Sequence, residues 1–186
     1  GWLRDVEDRS PWTTRYPEID EKFLFVNLGY NLRISEPQAA MGLVQLDKLG
    51  EFVDARRDVA EHYRRMLASH DNILRTQTET PLGRSSCFGF PMVKNPKAGF
   101  RVSDITRFLN AKGIETRPII CGNIARQPAM KRFEHRVVGD LRHASEVMDC
   151  GFSVGNHQAI SETACQYVAD CIDDFIAKGG DSRLDV

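Results

Sequence analysis

The sequence lacks the short motifs that would assign a function directly. It has no apolar stretch near 18 residues, so no membrane-spanning helix is predicted. Its five cysteines contain no CxxC pair, which removes the usual zinc and dithiol spacings. A glycine-rich phosphate loop, an HExxH helix and a GxSxG turn are also missing. The residues alone therefore define no complete chemical site.

The near-neutral charge balance does not favour nucleic acid as a partner. Lys and Arg total 25 against 26 Asp and Glu, without the basic stripe that a nucleic-acid backbone requires. The odd number of cysteines offers no disulfide framework, and the first ten residues lack the apolar middle of a signal peptide. With 41% hydrophobic residues the chain can build a core. We expect a cytoplasmic α/β protein with no nucleic-acid or membrane partner.

A long helix is the strongest local prediction. Ser35 is a good N-cap, and Gln38 stands three residues later, at the capping-box spacing. Apolar residues then recur at helical spacing to Leu49 and, beyond a possible bend at Gly50, to Leu67. Four arginines between the apolar positions are interpreted as the solvated side of this helix: Arg56, Arg57, Arg64 and Arg65. Residues 1–22 are predicted to form a loop.

The remainder alternates short apolar runs with helical patterns. Strands are predicted over 87–93, 114–120 and 151–154, and helices begin near Ser103, Gly139 and the N-cap Ser161. Pro91 indicates an edge strand or a strand end, and Cys165 and Cys171 fall on an apolar helix face. The order predicts a small sheet covered on one side by helices.

Polar residues after the second predicted strand form the best local candidate site. Arg117, Asn123, Arg126 and Gln127 interrupt apolar sequence where α/β proteins often bind ligands. An arginine fork suits phosphate, and amides both donate and accept. The alternative is a loop that its own side chains stabilise.

Two further candidates are weaker on the residues alone. Asn31 and Arg33 precede the capped helix, where unpaired backbone N–H groups can help to hold an anion, or they form a simple polar turn. His157 lies in the loop before the last helix and is either a site residue or a structural histidine.

The segment LGYNLRISEPQAAMGLVQLDKL resembles the GYN-x-R-x-[ST]-[DE]-x-Q-A-A-x-G-x-x-Q-L signature of the DegT-type sugar aminotransferases. The resemblance continues through GIETRPI and VVGDLRHASEVMDCGFSVGNHQAIS, from about residue 23 to 176. It implies the C-terminal small α/β domain of a fold-type I pyridoxal-phosphate enzyme, with a long linking helix. Residues 1–50 would be the end of the large domain and that helix, and residues 51–186 the small domain.

The resemblance leaves two reactions open within the family. The loop CGNIARQPAM is similar to the G-N-x-x-R-Q-P form of the 3-dehydrases, which favours that branch over the aminotransferases. Iron–sulfur dehydrases carry closely spaced cysteines before GYN, and residues 1–22 contain none, so a thiolate-ligated cluster is not expected there.

Roles for the candidate residues follow from the resemblance. Asn31, with help from Arg33, would reach the phosphate of pyridoxal or pyridoxamine phosphate held by the neighbouring subunit, which implies a homodimer. The polar cluster and His157 would lie on the side of the nucleotide-linked keto sugar. The catalytic Lys or His would lie upstream of residue 1, so none is assigned here. Without the large domain, the helix after Ser35 is expected to expose apolar area and to promote association.

The expected function is conversion of a nucleotide-linked 4-keto sugar for deoxy- or amino-sugar synthesis, such as that of lipopolysaccharide. The alternative is a non-catalytic binding or oligomerisation module derived from the same family.

Overall fold

The computed structural model describes residues 6–30 and 32–180, and it divides the chain into two compact units, Gly1–Asp47 and Lys48–Val186. The helices are α1 (Ser10–Arg15), α2 (Glu36–Leu67), α3 (Val102–Ala111), α4 (Arg142–Cys150) and α5 (Glu162–Ala177). The strands are β1 (Leu74–Thr76), β2 (Gly89–Lys94), β3 (Thr116–Arg117) and β4 (Gly151–Gly155). Short 3-10 turns occupy Glu21–Phe23, Ala68–His70, Ile124–Arg126 and Pro128–Arg132.

The first unit contains more helix than the sequence predicts. Within the predicted loop of residues 1–22, α1 begins at Ser10, whose backbone N–H and hydroxyl both donate to the Asp8 carboxylate at 3.1 and 2.6 Å. Pro11 then occupies the first turn, where its missing N–H costs nothing. The prediction of an unbroken loop is therefore wrong.

Helix α2 is continuous over 32 residues, and Gly50 does not interrupt it. The Gln38 side-chain oxygen accepts from the Ser35 backbone N–H at 2.9 Å and from its hydroxyl at 3.1 Å. This confirms the predicted contact between the two capping residues. The buried residues of α2 all lie in its last third: Val59, Ala60, Tyr63 and Leu67.

The sheet has four antiparallel strands in the order β1-β2-β4-β3. Strand β1 was not predicted, because three residues are too few to show a period. Strand β2 is an inner strand, yet β1 pairs with it only as far as Thr76 opposite Met92. Pro91 therefore lies where β2 is locally an edge, which accommodates its missing N–H.

One face of the sheet carries the core. Phe90 lies opposite Val154 and Met92 opposite Phe152, so these side chains share a face, and all four are buried. They pack in one cluster with the buried residues of α2, α3 and α5. Cys165 and Cys171 are part of this core, as predicted.

The other face is covered by α4, so the prediction of helices on one side only is incomplete. Arg75 is paired with Val93 and therefore shares the second face. Its guanidinium contacts the Glu146 carboxylate of α4 at 2.6 Å, and α4 also contacts β2 and β4.

Candidate functional site

The loop after β3 is held in place by its own polar side chains. Asn123 is 4% exposed; its Oδ1 accepts from the Ala125 backbone N–H at 3.1 Å, and its Nδ2 donates to the Ser145 hydroxyl at 3.0 Å. The amide therefore closes the turn at Ile124–Arg126 and joins it to α4. A buried amide with both ends satisfied is a structural element of this loop.

Arg126 and Gln127 continue the same arrangement. The Arg126 guanidinium donates to both carboxylate oxygens of Asp149 at 2.9 and 2.8 Å. Gln127 Nε2 donates to the carbonyl oxygen of Cys121 at 3.3 Å. The structure brings together three of the predicted site residues, but their polar atoms bond to the loop and to α4. This favours the alternative of a loop that its own side chains stabilise.

Gly122 allows the loop to approach α4 closely. Its φ is +65°, and a Cβ atom there would lie 2.5 Å from Cβ and 2.8 Å from Cα of Met148. Only glycine fits such a position without displacement. The glycine before Asn123 is visible in the sequence, but nothing local shows that α4 lies against it.

Arg117 is separate from that cluster. Its guanidinium is exposed and pairs with the neighbouring Glu115 at 2.6 Å, while its backbone carbonyl accepts from the Ser153 hydroxyl at 3.2 Å. An exposed ion pair of this kind is weak, so the guanidinium can exchange Glu115 for another anion.

His157 lies at the opposite end of β4 from the loop. The loop bonds to residues of α4, which leads into β4 at Gly151, whereas His157 follows the strand's last residue, Gly155. The four steps from Gly151 to Gly155 correspond to about 13 Å. The structure therefore places His157 and the loop at opposite ends of β4, and their sharing of one cleft stays a prediction. The ring is exposed, and its Nδ1 accepts from the Ala159 backbone N–H at 3.2 Å.

Asn156 is the residue that the sequence analysis missed at this end. It is 4% exposed, and its Nδ2 donates to the carbonyl oxygens of Arg56 in α2 and of Cys87 before β2. Its Oδ1 has no hydrogen-bond partner within the described part of the chain. Nearby, the Tyr63 hydroxyl donates to the Gly155 carbonyl at 3.4 Å, and burial raises the pKa of Tyr63. In the sequence Asn156 is visible only as a single asparagine before His157, and such a residue does not by itself indicate a buried role.

Arginines of α2 hold the segment before β2. Arg57 forms a two-pronged contact with Glu79 at 2.6 and 3.0 Å and also donates to the Ser85 carbonyl at 2.6 Å. The Arg57 hydrogen bond and the Ser85 backbone N–H lower the pKa of Glu79 to about 2. Arg56 and Arg64 donate to the carbonyls of Ser86 and Gln77 at 3.1 and 3.4 Å. The interpretation of Arg56, Arg57 and Arg64 as part of a solvated face is therefore corrected, whereas Arg65 is exposed, as predicted.

The predicted cofactor residues lie in the first unit. Asn31 is outside the described residues, and Arg33 is exposed just before α2. Across residues 6–30 and 32–180, no group of His, Cys, Asp or Glu could hold a metal ion. No helix in these same ranges is both long and apolar enough to cross a membrane.

The first unit also exposes a large apolar surface, as the sequence analysis expected. Leu28, Tyr30 and Leu32 are 96%, 94% and 89% exposed. Large apolar side chains of α2 continue the exposure: Met41, Leu43, Val44 and Leu46.

Comparison with known proteins gives consistent matches. A family model described as the DegT/DnrJ/EryC1/StrS aminotransferase family matches residues 9–173. The lipopolysaccharide biosynthesis protein RfbH of Salmonella typhimurium is 32% identical over 156 residues, which cover 84% of this chain and 36% of the relative. The dTDP-4-dehydro-2,6-dideoxy-D-glucose 3-dehydratase of Saccharopolyspora spinosa is 35% identical over 162 residues, which cover 87% of this chain and 35% of that relative.

Solved structures agree in fold. The E. coli GDP-4-keto-6-deoxy-D-mannose-3-dehydratase with bound hydrated PLP has a TM-score of 0.76 and 31% identity, covering 92% of this chain and 44% of that one. The chain spans less than half the length of each of these proteins.

Proposed function

This chain belongs to the DegT/DnrJ/EryC1/StrS aminotransferase family, and from that membership we propose a function for the intact protein. It is an enzyme dependent on pyridoxal or pyridoxamine phosphate that converts a nucleotide-linked 4-keto sugar for deoxy- or amino-sugar biosynthesis. The observation that carries the proposal is the match of the family model over residues 9–173. Lipopolysaccharide synthesis and a cytoplasmic location are part of the same proposal.

The two units are proposed to belong to two domains of the intact enzyme. Residues 1–50 would complete the large cofactor-binding domain and supply the linking helix, and residues 51–186 would be the small domain. The compact division between Asp47 and Lys48 supports this boundary. The coverage of the relatives, 35% to 44% of their length, supports a chain that supplies one part of such an enzyme.

The cofactor phosphate is proposed to be contacted by Asn31 and Arg33. Arg33 fits this role because it is an exposed cation just before the N-terminus of α2, where backbone N–H groups favour an anion. When bound, the cofactor supplies the electron sink for carbanion chemistry. Contact from this segment to a cofactor of another subunit requires a homodimer, and the exposed Leu28, Tyr30 and Leu32 support such an interface.

The reaction is proposed to be 3-dehydration, with transamination as the second candidate. Three relatives at 34% to 35% identity are 3-dehydratases, and a GDP-perosamine synthase of Caulobacter vibrioides is 24% identical. The loop that favours this branch is shaped by Gly122, Asn123 and Gln127. We propose that it borders the sugar, with Arg117 and Arg126 as its charged groups. His157 would act from the other end of β4.

The intact protein tests both candidates in one experiment. Incubation with a 4-keto nucleotide sugar and glutamate is expected to give a product that lacks the 3-hydroxyl. An amino-sugar product would favour transamination instead. Full-length protein without cofactor absorbance and without turnover would end the enzyme proposal and favour a non-catalytic module. The module alternative is supported by the internal bonding of Asn123, Arg126 and Gln127, which leaves few free polar groups in the loop.

A further inference from the structure

The arginines of residues 48–180 divide into two groups. Nine contact a carboxylate within 4.0 Å: Arg57, Arg64, Arg65, Arg75, Arg84, Arg101, Arg107, Arg117 and Arg126. Arg56 instead donates to a backbone carbonyl. The remaining three follow one another closely in the chain: Arg132, Arg136 and Arg142. Within the described part of the chain, none of these three has a carboxylate partner.

These three arginines and Lys131 define what we term the basic segment, residues 131–142. Residues 131–140 are all exposed, as is Arg142. The segment contains two acids, Glu134 and Asp140, and Asp140 already accepts from the Arg142 backbone N–H at 3.1 Å. The segment thus carries four cations and two carboxylates, and its Phe133 is 66% exposed. Uncompensated like charges repel each other, so an anionic ligand would relieve the arrangement.

The basic segment is anchored on both sides. Before it, Arg126 bonds to Asp149 and Asn123 to Ser145, so the preceding loop is fixed to α4. After it, Arg142 is the first residue of α4 itself. The segment therefore begins and ends against the same helix.

We propose that the basic segment binds the diphosphate of the nucleotide-linked substrate, with the Phe133 ring against the base. This inference rests on the function proposed above and names the residues that hold its substrate. Guanidinium groups donate in pairs to phosphate oxygens, and the excess of two positive charges matches a diphosphate. An aromatic ring beside the cations distinguishes a nucleotide from a bare phosphate, because bases stack on aromatic side chains. The near-neutral chain as a whole does not favour a nucleic-acid backbone.

The test uses the full-length protein and the double variant Arg132→Gln/Arg136→Gln. Titration calorimetry with GDP, with dTDP and with inorganic pyrophosphate measures binding. The nucleotide that the wild-type protein binds is expected to bind the variant about 10-fold or more weakly, because charge-assisted hydrogen bonds to phosphate are lost. Pyrophosphate binding should weaken as well, and the salt dependence of both should become shallower. Phe133→Leu should weaken nucleotide binding and leave pyrophosphate binding unchanged.

Arg75→Gln is the matched control, because Arg75 is also exposed but is paired with Glu146 at 2.6 Å. It should bind nucleotide like the wild type. Unchanged nucleotide affinity in the double variant would overturn the proposal. Binding to anionic vesicles and to RNA is measured as well, and a double variant that loses only that binding would also overturn it. If the double variant keeps its affinity while the wild type shows cofactor absorbance and turnover, only this inference fails. A wild type that binds neither cofactor nor nucleotide refutes the proposed function together with it.

Discussion

The two ends of α2 have the same kind of sequence and very different surroundings. Apolar residues recur at helical spacing from Leu43 to Leu67, yet Leu46 is 64% exposed and Leu67 is 1% exposed. The last third of the helix packs into the core with α3, α5 and one face of the sheet. The first third, in the first unit, presents Met41, Leu43 and Val44 to solvent. The pattern predicts a helix with an apolar side, but it does not identify what covers that side.

Truncating one leucine at each end of α2 is expected to give the largest difference in stability between the two ends. Leu67→Ala should destabilise the 186-residue chain by about 2–5 kcal/mol, because it removes a fully buried side chain and leaves a cavity. Leu46→Ala should change the free energy of unfolding by less than about 0.5 kcal/mol, since Leu46 is exposed. Urea unfolding followed by circular dichroism measures both. Equal losses would show that the two ends of α2 are equally covered.

Two glycines repeat the contrast between a covered and an open position. Gly122 and Gly139 have φ values of +65° and +77°. A Cβ atom at Gly122 would meet Met148, whereas a Cβ atom at Gly139 would have no heavy atom within 4 Å. Both alanine variants should lose about 1–2 kcal/mol from backbone strain. Gly122→Ala should lose about 1–3 kcal/mol more from overpacking. Similar unfolding midpoints for the two variants would contradict the close approach of the loop to α4.

Asn156 tests how the buried part of α2 is held. Asn156→Ala removes the donor that joins the carbonyls of Arg56 and Cys87, and the loss of the buried bond to Cys87 should cost about 1–3 kcal/mol. The adjacent and exposed His157→Ala should change stability by less than about 0.5 kcal/mol. Thermal unfolding of the two variants is the measurement, and a larger effect at His157 would reverse the assignment.

Because Arg57 in the last third of α2 pairs with Glu79, we expect the protein to lose stability in acid. The pKa of Glu79 is about 2, below its ordinary value of 4.5, so its ionised form is favoured by folding. Its contribution is fully present above pH 4.5 and is lost as the pH falls from 4.5 towards 2. Glu79→Gln should therefore flatten the pH dependence of unfolding in that range. Glu134→Gln is the control, and an identical flattening in both variants would argue against the contact.

Local chemistry accounts for what the sequence could predict. The cap at Ser161 is found, where the hydroxyl accepts from the Ala164 N–H at 3.2 Å, and the core face of α5 includes Cys165 and Cys171. The contact between Ser35 and Gln38 is also local. Each of these depends on residues within about one or two helical turns, and spacing alone indicates them.

The missed features depend on partners far away in the chain. Arg57 and Glu79 are 22 residues apart, and Asn156 meets Arg56 across 100 residues. Their roles depend on how distant parts of the chain pack together, which one sequence does not display. The separation of His157 from the loop is hidden for the same reason, because it follows from the antiparallel pairing of β3 with β4, which sends the two candidate segments to opposite ends of β4.

Hydrogen exchange along α2 tests the central claim most directly. The exposed first part of α2 is expected to become an interface in the intact enzyme, whereas the last third is expected to need only the small domain. In the isolated 186-residue chain, amides of residues 36–49 should exchange much faster than those of residues 59–67. In the intact protein with bound cofactor, both stretches should be protected to a similar degree. Fast exchange over residues 36–49 in the intact protein would contradict the account.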